Sequence, residues 1–213
     1  MYSKTGSTNY VRNYVKTPNP ATTAQRAVRN AFSNSAQTYR TLSQAQQNGW
    51  ISLGAQMSKL DDLGATRVLS GNQAFSALNN TLQNLGLPLL MDPPNRPMPP
   101  TPLPEFTLVA ERDAGSGSEF SLVVQSDAYT GKIIVKATRA VSPGVNKFKK
   151  SAFRQIEVVP GLSAGSTSLT AGYMALYGPP PLGEKIALEL TPVSNSGFKG
   201  SPTLVYTIVA PLT

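Results

Sequence analysis

Residues 88–104 contain eight of the eighteen prolines in the chain, and this stretch constrains the fold more than any other. Proline lacks a backbone N–H and fixes its φ angle, so neither a helix nor a central strand continues through such a stretch. Closely spaced prolines instead favour an extended, semi-rigid segment. The stretch therefore predicts a boundary between two folding units and a spacer that holds them apart. Its PxxP spacings leave open a second role, as a ligand for a proline-reading domain.

The strongest helical pattern precedes this boundary, in the segment 20–57. Apolar residues recur every three or four positions over 22–39, after a threonine at position 22 or 23 that can cap the first helix. Ser43 is followed three residues later by Gln46, which is the signature of a capping box at the start of a second helix. The segment therefore predicts a helical hairpin.

A third helix is predicted to begin after Asn72, as its N-cap residue, and to end at Gly86. Residues 59–71 are predicted to be the loop that precedes it. The apolar and aromatic side chains of the three helices have the spacing that one small shared core requires, and a ligand-stacking role for Trp50 is the alternative. The predicted helical core consists of Phe32, Tyr39, Trp50, Phe75, Leu78 and Leu82.

After residue 105 the hydrophobic period changes from that of a helix to that of a strand. Seven short segments bounded by glycine- and proline-containing turns indicate an immunoglobulin- or fibronectin-type sandwich. The predicted strands are 106–112, 119–125, 132–139, 153–159, 167–177, 185–192 and 202–209.

The predicted fold class is therefore α+β by domain, a small helical domain joined to an all-β sandwich. Prolines at positions 18 and 20 delay the first helix, so the residues before them are predicted to form an extended basic arm. The predicted division is an arm at 1–20, a helical domain at 21–87, a Pro-rich linker at 88–104 and a β-sandwich domain at 105–213.

The net charge of +8 is distributed unevenly along the chain. Residues 1–60 and 128–156 each carry seven lysines or arginines and no acidic residue. Basic surfaces of this kind favour a polyanion or an acidic protein face, and the alternative is that they only keep the protein soluble. The candidate contacts for a polyanion or a partner protein are Lys4, Arg12, Lys16, Arg26, Arg29, Arg40, Lys147, Lys149 and Lys150.

Composition argues against an enzyme. The chain contains neither histidine nor cysteine, which removes the commonest general base, the thiolate nucleophile and the commonest transition-metal ligands. There is no G-x-S-x-G motif, and Gly115-Ser116-Gly117 lies between two predicted strands, as a hairpin tip does. Asp61, Asp62 and Asp113 do not have the spacing of a Ca²⁺ loop. We therefore expect no catalytic residue, no cofactor and no metal site.

The helical hairpin carries a motif that resembles known families. Its turn reads Tyr39-Arg40-x-Leu42-Ser43-x-x-Gln46-x-x-x-Trp50, which resembles the middle of a high-mobility-group box. On a wider pattern the segment is similar to a group of uncharacterised proteins from bacteriophages and prophage-rich bacteria. That pattern is Asn19-Pro20, Gln25, Arg29, Phe32, Tyr39-Arg40-x-Leu42-Ser43 and Gln46 with Trp50. The C-terminal halves of those proteins look like fibronectin-type modules. The segment Tyr177-Gly-Pro-Pro-Pro resembles the corner and loop found in those halves.

The resemblance implies a structural component of a phage or phage-like particle, in a capsid, decoration, tail or fibre. Its expected partners are further copies of itself and other particle proteins. The alternative is a nucleic-acid-binding accessory protein that uses the basic arm and the helical hairpin. A third hypothesis, a carbohydrate- or surface-binding sandwich, requires Tyr129, Tyr173 and Tyr177 to line an exposed platform.

The N-terminal residues lack the apolar region of a signal peptide, and no apolar run approaches transmembrane length. The expected location is therefore the virion or particle, assembled in the bacterial cytoplasm, without membrane insertion.

Overall fold

The computed structural model of the protein describes residues 2–5, 8–11, 22–60, 64–113 and 119–212. Among these residues, three helices form a helical unit before the Pro-rich stretch: α1 (Thr23–Thr41), α2 (Gln44–Gln56) and α3 (Gly71–Asn84). After that stretch the chain is mostly β-structure, so the α+β class predicted from the sequence is confirmed.

All three helices begin with a capping box. The Thr22 and Ser43 hydroxyls accept hydrogen bonds from the backbone N–H three residues on, and the glutamine side chain at that position accepts one from the backbone N–H of the cap residue. The third helix is capped by Ser70 with Gln73, not by Asn72 as predicted. Ser70 has its glutamine partner at the required spacing, whereas Asn72 lies inside the first turn. Gly86, with φ of 67°, follows the end of α3 as expected.

The helical core forms around Trp50 and Phe75, whose rings meet edge to face at a centroid distance of 5.1 Å. Tyr39 packs against the same phenylalanine ring at 5.6 Å, and Leu78 and Leu82 are buried. Phe32 was predicted to belong to this core, but 56% of it is exposed. The prediction was wrong because Phe32 precedes the point at which α1 packs closely on α3, which is marked by the buried Ser35.

Two segments expected to be irregular contain short hairpins. Strands β1 (Tyr2–Thr5) and β2 (Thr8–Val11) pair antiparallel within the predicted extended arm. Strands β3 (Ser58–Leu60) and β4 (Thr66–Val68) pair within the predicted loop before α3.

The remaining strands form a sandwich of two four-stranded sheets. The strands are β5 (Phe106–Arg112), β6 (Phe120–Ser126), β7 (Lys132–Ala137), β8 (Arg154–Val159), β9 (Gly165–Ser168), β10 (Lys185–Val193), β11 (Thr203–Ile208) and β12 (Ala210–Pro211). Their order is β12-β5-β6-β9 in the first sheet and β11-β10-β7-β8 in the second. Every pairing is antiparallel except that of β12 with β5. This two-sheet arrangement confirms the predicted immunoglobulin- or fibronectin-type sandwich.

One predicted strand, 167–177, is instead the end of β9 followed by helix α4 (Thr170–Tyr177). Leu169, Tyr173 and Tyr177 are four residues apart, which places them on one helical face directed at the core between the sheets. The Thr170 hydroxyl accepts a hydrogen bond from the Leu122 backbone N–H at 2.9 Å and so fixes the start of α4 to β6.

The Pro-rich stretch, which composition predicts to be a semi-rigid spacer between two units, makes hydrogen bonds to both of them. On the helical side, the Trp50 indole N–H donates to the Met91 carbonyl at 2.8 Å. The buried Asn79 side chain accepts from the Leu90 N–H at 2.7 Å and donates to the Leu90 carbonyl at 3.1 Å. On the sandwich side, the Tyr129 hydroxyl donates to the Thr101 carbonyl at 2.9 Å.

The helical unit and the sandwich also pack directly against each other. Leu85, at the end of α3, is buried with Ile134 and Val193 of the second sheet. Phe198, from the turn between β10 and β11, is buried in the same cluster as Trp50 and Phe75. The helical core is therefore completed by a side chain from the other unit. Within the described part of the chain, no helix combines the length and apolarity needed to cross a membrane.

Candidate functional site

The most prominent exposed apolar surface of the helical unit is the first half of α1. Val28 and Phe32 lie on one face of the helix and are each 56% exposed. Ala27 lies beside them, and Ala31 is half-buried. The described residues leave this face uncovered, although amphipathic helices of globular proteins normally direct such a stripe into a core.

A groove of about 880 Å³ runs between this face and α3. Its α1 wall is apolar, whereas its α3 wall is lined by small and amide side chains, among them Ser76 and Asn80. At one end of the groove Ser35 is fully buried, and its hydroxyl donates to the Asn80 amide oxygen at 2.8 Å. The groove therefore opens where the close contact between α1 and α3 ends.

Lys199 also lines this groove. Burial by the surrounding protein lowers the pKa of Lys199, and the positive charge of Lys136 lowers it further. Lys136 itself forms an ion pair with Glu189 on the outer face of the second sheet. The α1 wall of the groove is thus apolar, and one of its lining side chains is a cation that the sequence analysis did not single out.

Arg26, Arg29 and Arg40, three of the candidate contacts for a polyanion or a partner protein, are exposed on α1. At 100° per residue the three side chains fall within about 60° of one another, and their centre lies about 160° from the centre of the α1 face that lines the groove. Arg29 borders that face, at about 60° from Phe32. The stripe extends over roughly 21 Å of the helix axis at 1.5 Å per residue. Helix α1 thus separates a basic face from an apolar face.

The other predicted basic contacts do not join this stripe. Lys147, Lys149 and Lys150 are exposed in the connection between β7 and β8, within the sandwich. That connection is held by the buried Lys185, whose ammonium donates to the Val145 carbonyl at 3.0 Å. Arg12 and Lys16 lie outside the described residues, and only the backbone of Lys4 is described, in β1.

The three tyrosines proposed for carbohydrate binding do not form an exposed platform. Tyr173 is fully buried, Tyr129 is 7% exposed, and Tyr177 is half-buried. The Tyr177 hydroxyl donates to the Ala137 carbonyl at 3.0 Å, which ties α4 to β7. These side chains pack the sandwich, so the third hypothesis loses the surface that it required. Trp50 is also fully buried, which excludes the ligand-stacking alternative in this conformation.

Sequence reasoning missed a second exposed apolar surface, on strand β11. Leu204, Tyr206 and Ile208 alternate along this strand and are 52%, 61% and 50% exposed. Their period-two pattern was visible in the sequence, but that pattern alone does not tell an inward face from an outward one.

Comparison with known proteins adds one structural similarity. No family model matches the chain, and no curated protein matches it. Among solved structures, the chain is similar to a Fn3-like protein from Clostridium thermocellum, with 15% sequence identity and a TM-score of 0.28. The similarity covers 53% of this chain and 97% of that protein.

Proposed function

We propose that this protein is a structural component of a phage or phage-like particle and acts through protein–protein contacts. The observation that carries the proposal is the uncovered apolar face of α1, formed by Val28 and Phe32 beside the groove. An apolar helix face next to an open groove is a surface onto which a partner helix or extended segment can dock.

Covering these two side chains with a partner would stabilise the complex through the hydrophobic effect. Fully burying one valine or phenylalanine side chain contributes about 1.5–3 kcal/mol. Val28 and Phe32 are each 56% exposed, so covering both contributes roughly 2 kcal/mol in total. This corresponds to roughly 30-fold in affinity from these two side chains.

The assignment to a particle rests on the resemblance to phage-associated proteins. The matching pattern spans 19–57 and includes five residues of α1: Gln25, Arg29, Phe32, Tyr39 and Arg40. Phe32 thus belongs to the pattern although it does not belong to the core of this chain. The exposure of this large apolar side chain supports a contact role for the position, because exposed apolar patches mark interaction surfaces.

The proposal is tested by deleting the gene in the producing cells and complementing with variants. We expect the wild-type protein to co-sediment with particles in a density gradient. The double variant Val28→Gln/Phe32→Gln keeps good helix formers on α1 but removes the apolar contact, so its incorporation should fall by roughly 30-fold. Quantitative mass spectrometry of the particle fractions measures the loss.

Ile51→Gln is the matched control, because Ile51 is a 53% exposed aliphatic residue on the neighbouring helix α2. It should be incorporated like the wild type. Absence of the wild-type protein from particles would refute the proposal, and equal incorporation of the double variant would refute the role of the α1 face.

A second candidate function is nucleic-acid binding, which the arginine stripe on α1 favours. Three phosphate contacts predict a logarithmic salt slope of about −2.7, which is roughly a 40-fold loss of affinity between 50 and 200 mM salt. The slope is measured by fluorescence anisotropy with a labelled duplex DNA. Substituting Arg26, Arg29 and Arg40 by glutamine should abolish most of this salt-dependent binding. Substituting Lys147, Lys149 and Lys150 by glutamine should not. Salt-independent or absent binding would exclude this function.

A further inference from the structure

Lys199 has a fixed position beside the groove between α1 and α3, which it lines. It follows Phe198, whose side chain is buried in the helical core. Its backbone pairs with Val193 in an isolated antiparallel bridge, and the next residue donates its N–H to the Pro192 carbonyl at 2.8 Å. Packing before Lys199 and hydrogen bonding after it therefore hold this lysine at the groove.

The groove supplies no counter-charge for this lysine. Its lining residues include no aspartate or glutamate, and helices α1 and α3, which form its two walls, contain none either. Among the described residues, no carboxylate lies within ion-pair distance of the Lys199 ammonium. Arg29, at the border of the apolar face of α1, adds a further positive charge beside the groove. The groove thus combines an apolar wall with a basic rim.

The surroundings of Lys199 disfavour its charged form. The protein around it removes part of its hydration and the positive charge of Lys136 acts in the same direction, so the pKa of Lys199 is lowered. The carboxylate of Glu189 is already engaged by Lys136. Lys199 nevertheless remains exposed at the surface, so an atom from outside the chain can reach it. A carboxylate bound there would offset both unfavourable effects.

We infer that the groove binds an acidic amphipathic segment of a different protein, with a carboxylate of that segment on the Lys199 ammonium. The apolar side chains of the segment cover Val28 and Phe32 on the α1 wall. On the α3 wall, the exposed amide of Gln83 is available to hydrogen bond with the polar groups of the segment.

The charge distribution favours a different protein over a second copy of this chain. Within the described ranges, none of the helices α1, α2, α3 and α4 contains an aspartate or glutamate. Glu111, Glu157 and Glu189 belong to paired strands of the sandwich, so they do not lie on a segment that is free to enter a groove. Two copies also repel each other at long range, because each carries a net charge of +8.

This inference rests on the proposed function, because it specifies the chemistry of the partner at the α1 face. The two can fail separately, since Lys199 lies in the turn between β10 and β11 and not on α1. The double variant of Val28 and Phe32 tests the apolar contact, whereas variants of Lys199 test the charge of the partner.

The first measurement is the incorporation of Lys199 variants into particles, by the same gradient and mass spectrometry. Lys199→Glu places a carboxylate against that of the partner, so incorporation should fall by roughly ten-fold. Lys199→Arg keeps the positive charge and should be incorporated like the wild type. Lys149→Glu makes the same reversal at an exposed lysine of the sandwich and should also be incorporated normally. Thermal melts establish that all three variants fold.

The second measurement identifies the group that meets Lys199. A carbodiimide condenses an amine with a carboxylate in direct contact, forming an amide with loss of water. Treated wild-type particles should yield a peptide in which Lys199 is joined to an aspartate or glutamate of another protein. The ion pair of Lys136 with Glu189 provides an internal control for the reaction. Lys199→Arg should keep its incorporation and lose the linkage, and the purified free chain should lack it.

The outcomes separate this inference from the proposed function. Normal incorporation of Lys199→Glu would overturn the inference, while loss of the Val28 and Phe32 double variant would still support the assembly role. A particle-specific linkage of Lys199 to this same chain would overturn it in favour of a second copy. Absence of any Lys199 linkage, when Lys136 and Glu189 are joined, would also overturn it. Absence of the wild-type protein from particles would refute both proposals together.

Discussion

The helical unit and the sandwich bury their cores in different ways. The core of the sandwich is built almost entirely from its own strands and α4, with Leu122, Ile186 and Leu188 fully buried between the two sheets. The helical core is completed by Phe198 from the sandwich and by Leu90 from the Pro-rich stretch. Small units bury too little surface to be very stable alone, and this unit obtains part of its core from its neighbours.

The largest expected effect is that of Trp50→Ala. The substitution removes a fully buried aromatic side chain and leaves the Met91 carbonyl without its donor, so the helical unit should lose about 3–5 kcal/mol. Urea unfolding followed by circular dichroism at 222 nm should show an early helical transition, while the amide spectrum of the sandwich by NMR stays dispersed. Loss of both units in one transition would mean that the sandwich depends on the helices as well.

Phe198→Ala should have a somewhat smaller effect, about 2–4 kcal/mol, and it should fall on the helical unit although the residue belongs to the sandwich. The reason is that the ring packs with Trp50 and Phe75 and leaves the sandwich core intact. Leu188→Ala is the control, since it creates a cavity between the sheets and should destabilise both units. If Phe198→Ala changed only the NMR signals of the sandwich, the conclusion that its side chain completes the helical core would be contradicted.

Asn79→Ala tests the attachment of the Pro-rich stretch to the helices. The buried amide makes two hydrogen bonds with the Leu90 backbone, so its loss should cost about 1–3 kcal/mol in helical stability. Asn72→Ala, at an exposed asparagine of the same helix, should change stability by less than about 0.5 kcal/mol. Equal denaturation midpoints for the two variants would show that these hydrogen bonds do not stabilise the unit.

Alkaline pH should weaken the sandwich selectively. Burial raises the pKa of Tyr173 to about 12, and burial also raises the pKa of Tyr129 and Tyr177. The unfolded chain releases these protons near pH 10 and the folded chain only at higher pH, so their stabilisation is complete below pH 10 and is lost as the pH rises toward 12.

Thermal melts between pH 8 and 12 measure this loss, and absorbance at 295 nm follows tyrosinate formation. Tyr173→Phe should lose less stability over that range than the wild type. Below pH 10 the substitution should have a small effect, because the Tyr173 hydroxyl interacts with the Ala140 backbone at a geometry that falls short of a full hydrogen bond. Parallel pH curves for the two proteins would contradict the assignment to Tyr173.

The features predictable from sequence are those decided by neighbours in the chain. The capping box at Ser43 depends on residues three apart, and the turns between strands depend on local glycines and prolines. The segment 167–177 was predicted as a strand because threonine and tyrosine favour strands. The spacing of Leu169, Tyr173 and Tyr177 fits the helix that the structure contains. Local preference did not separate the two structures there.

Burial was less predictable, because it depends on what lies opposite a face. Periodicity places Val28 and Phe32 on one side of α1 but does not show that α3 leaves that side open. In the same way, nothing near Phe198 in the chain indicates that it packs against Trp50. Of the candidate site, the exposure of the α1 arginines was predictable, but the groove and the exposed apolar surface of β11 arise from tertiary packing.

The attachment of the Pro-rich stretch at both of its ends has a consequence for how copies add to one another. Because Met91 is held by Trp50 and Thr101 by Tyr129, the chain between the units is not a hinge with freely variable length. The α1 face and the sandwich therefore keep a constant orientation. A partner docked on α1 would be held at the same angle to the sandwich in every copy, so the geometry of an assembly built through this contact would be encoded within a single subunit.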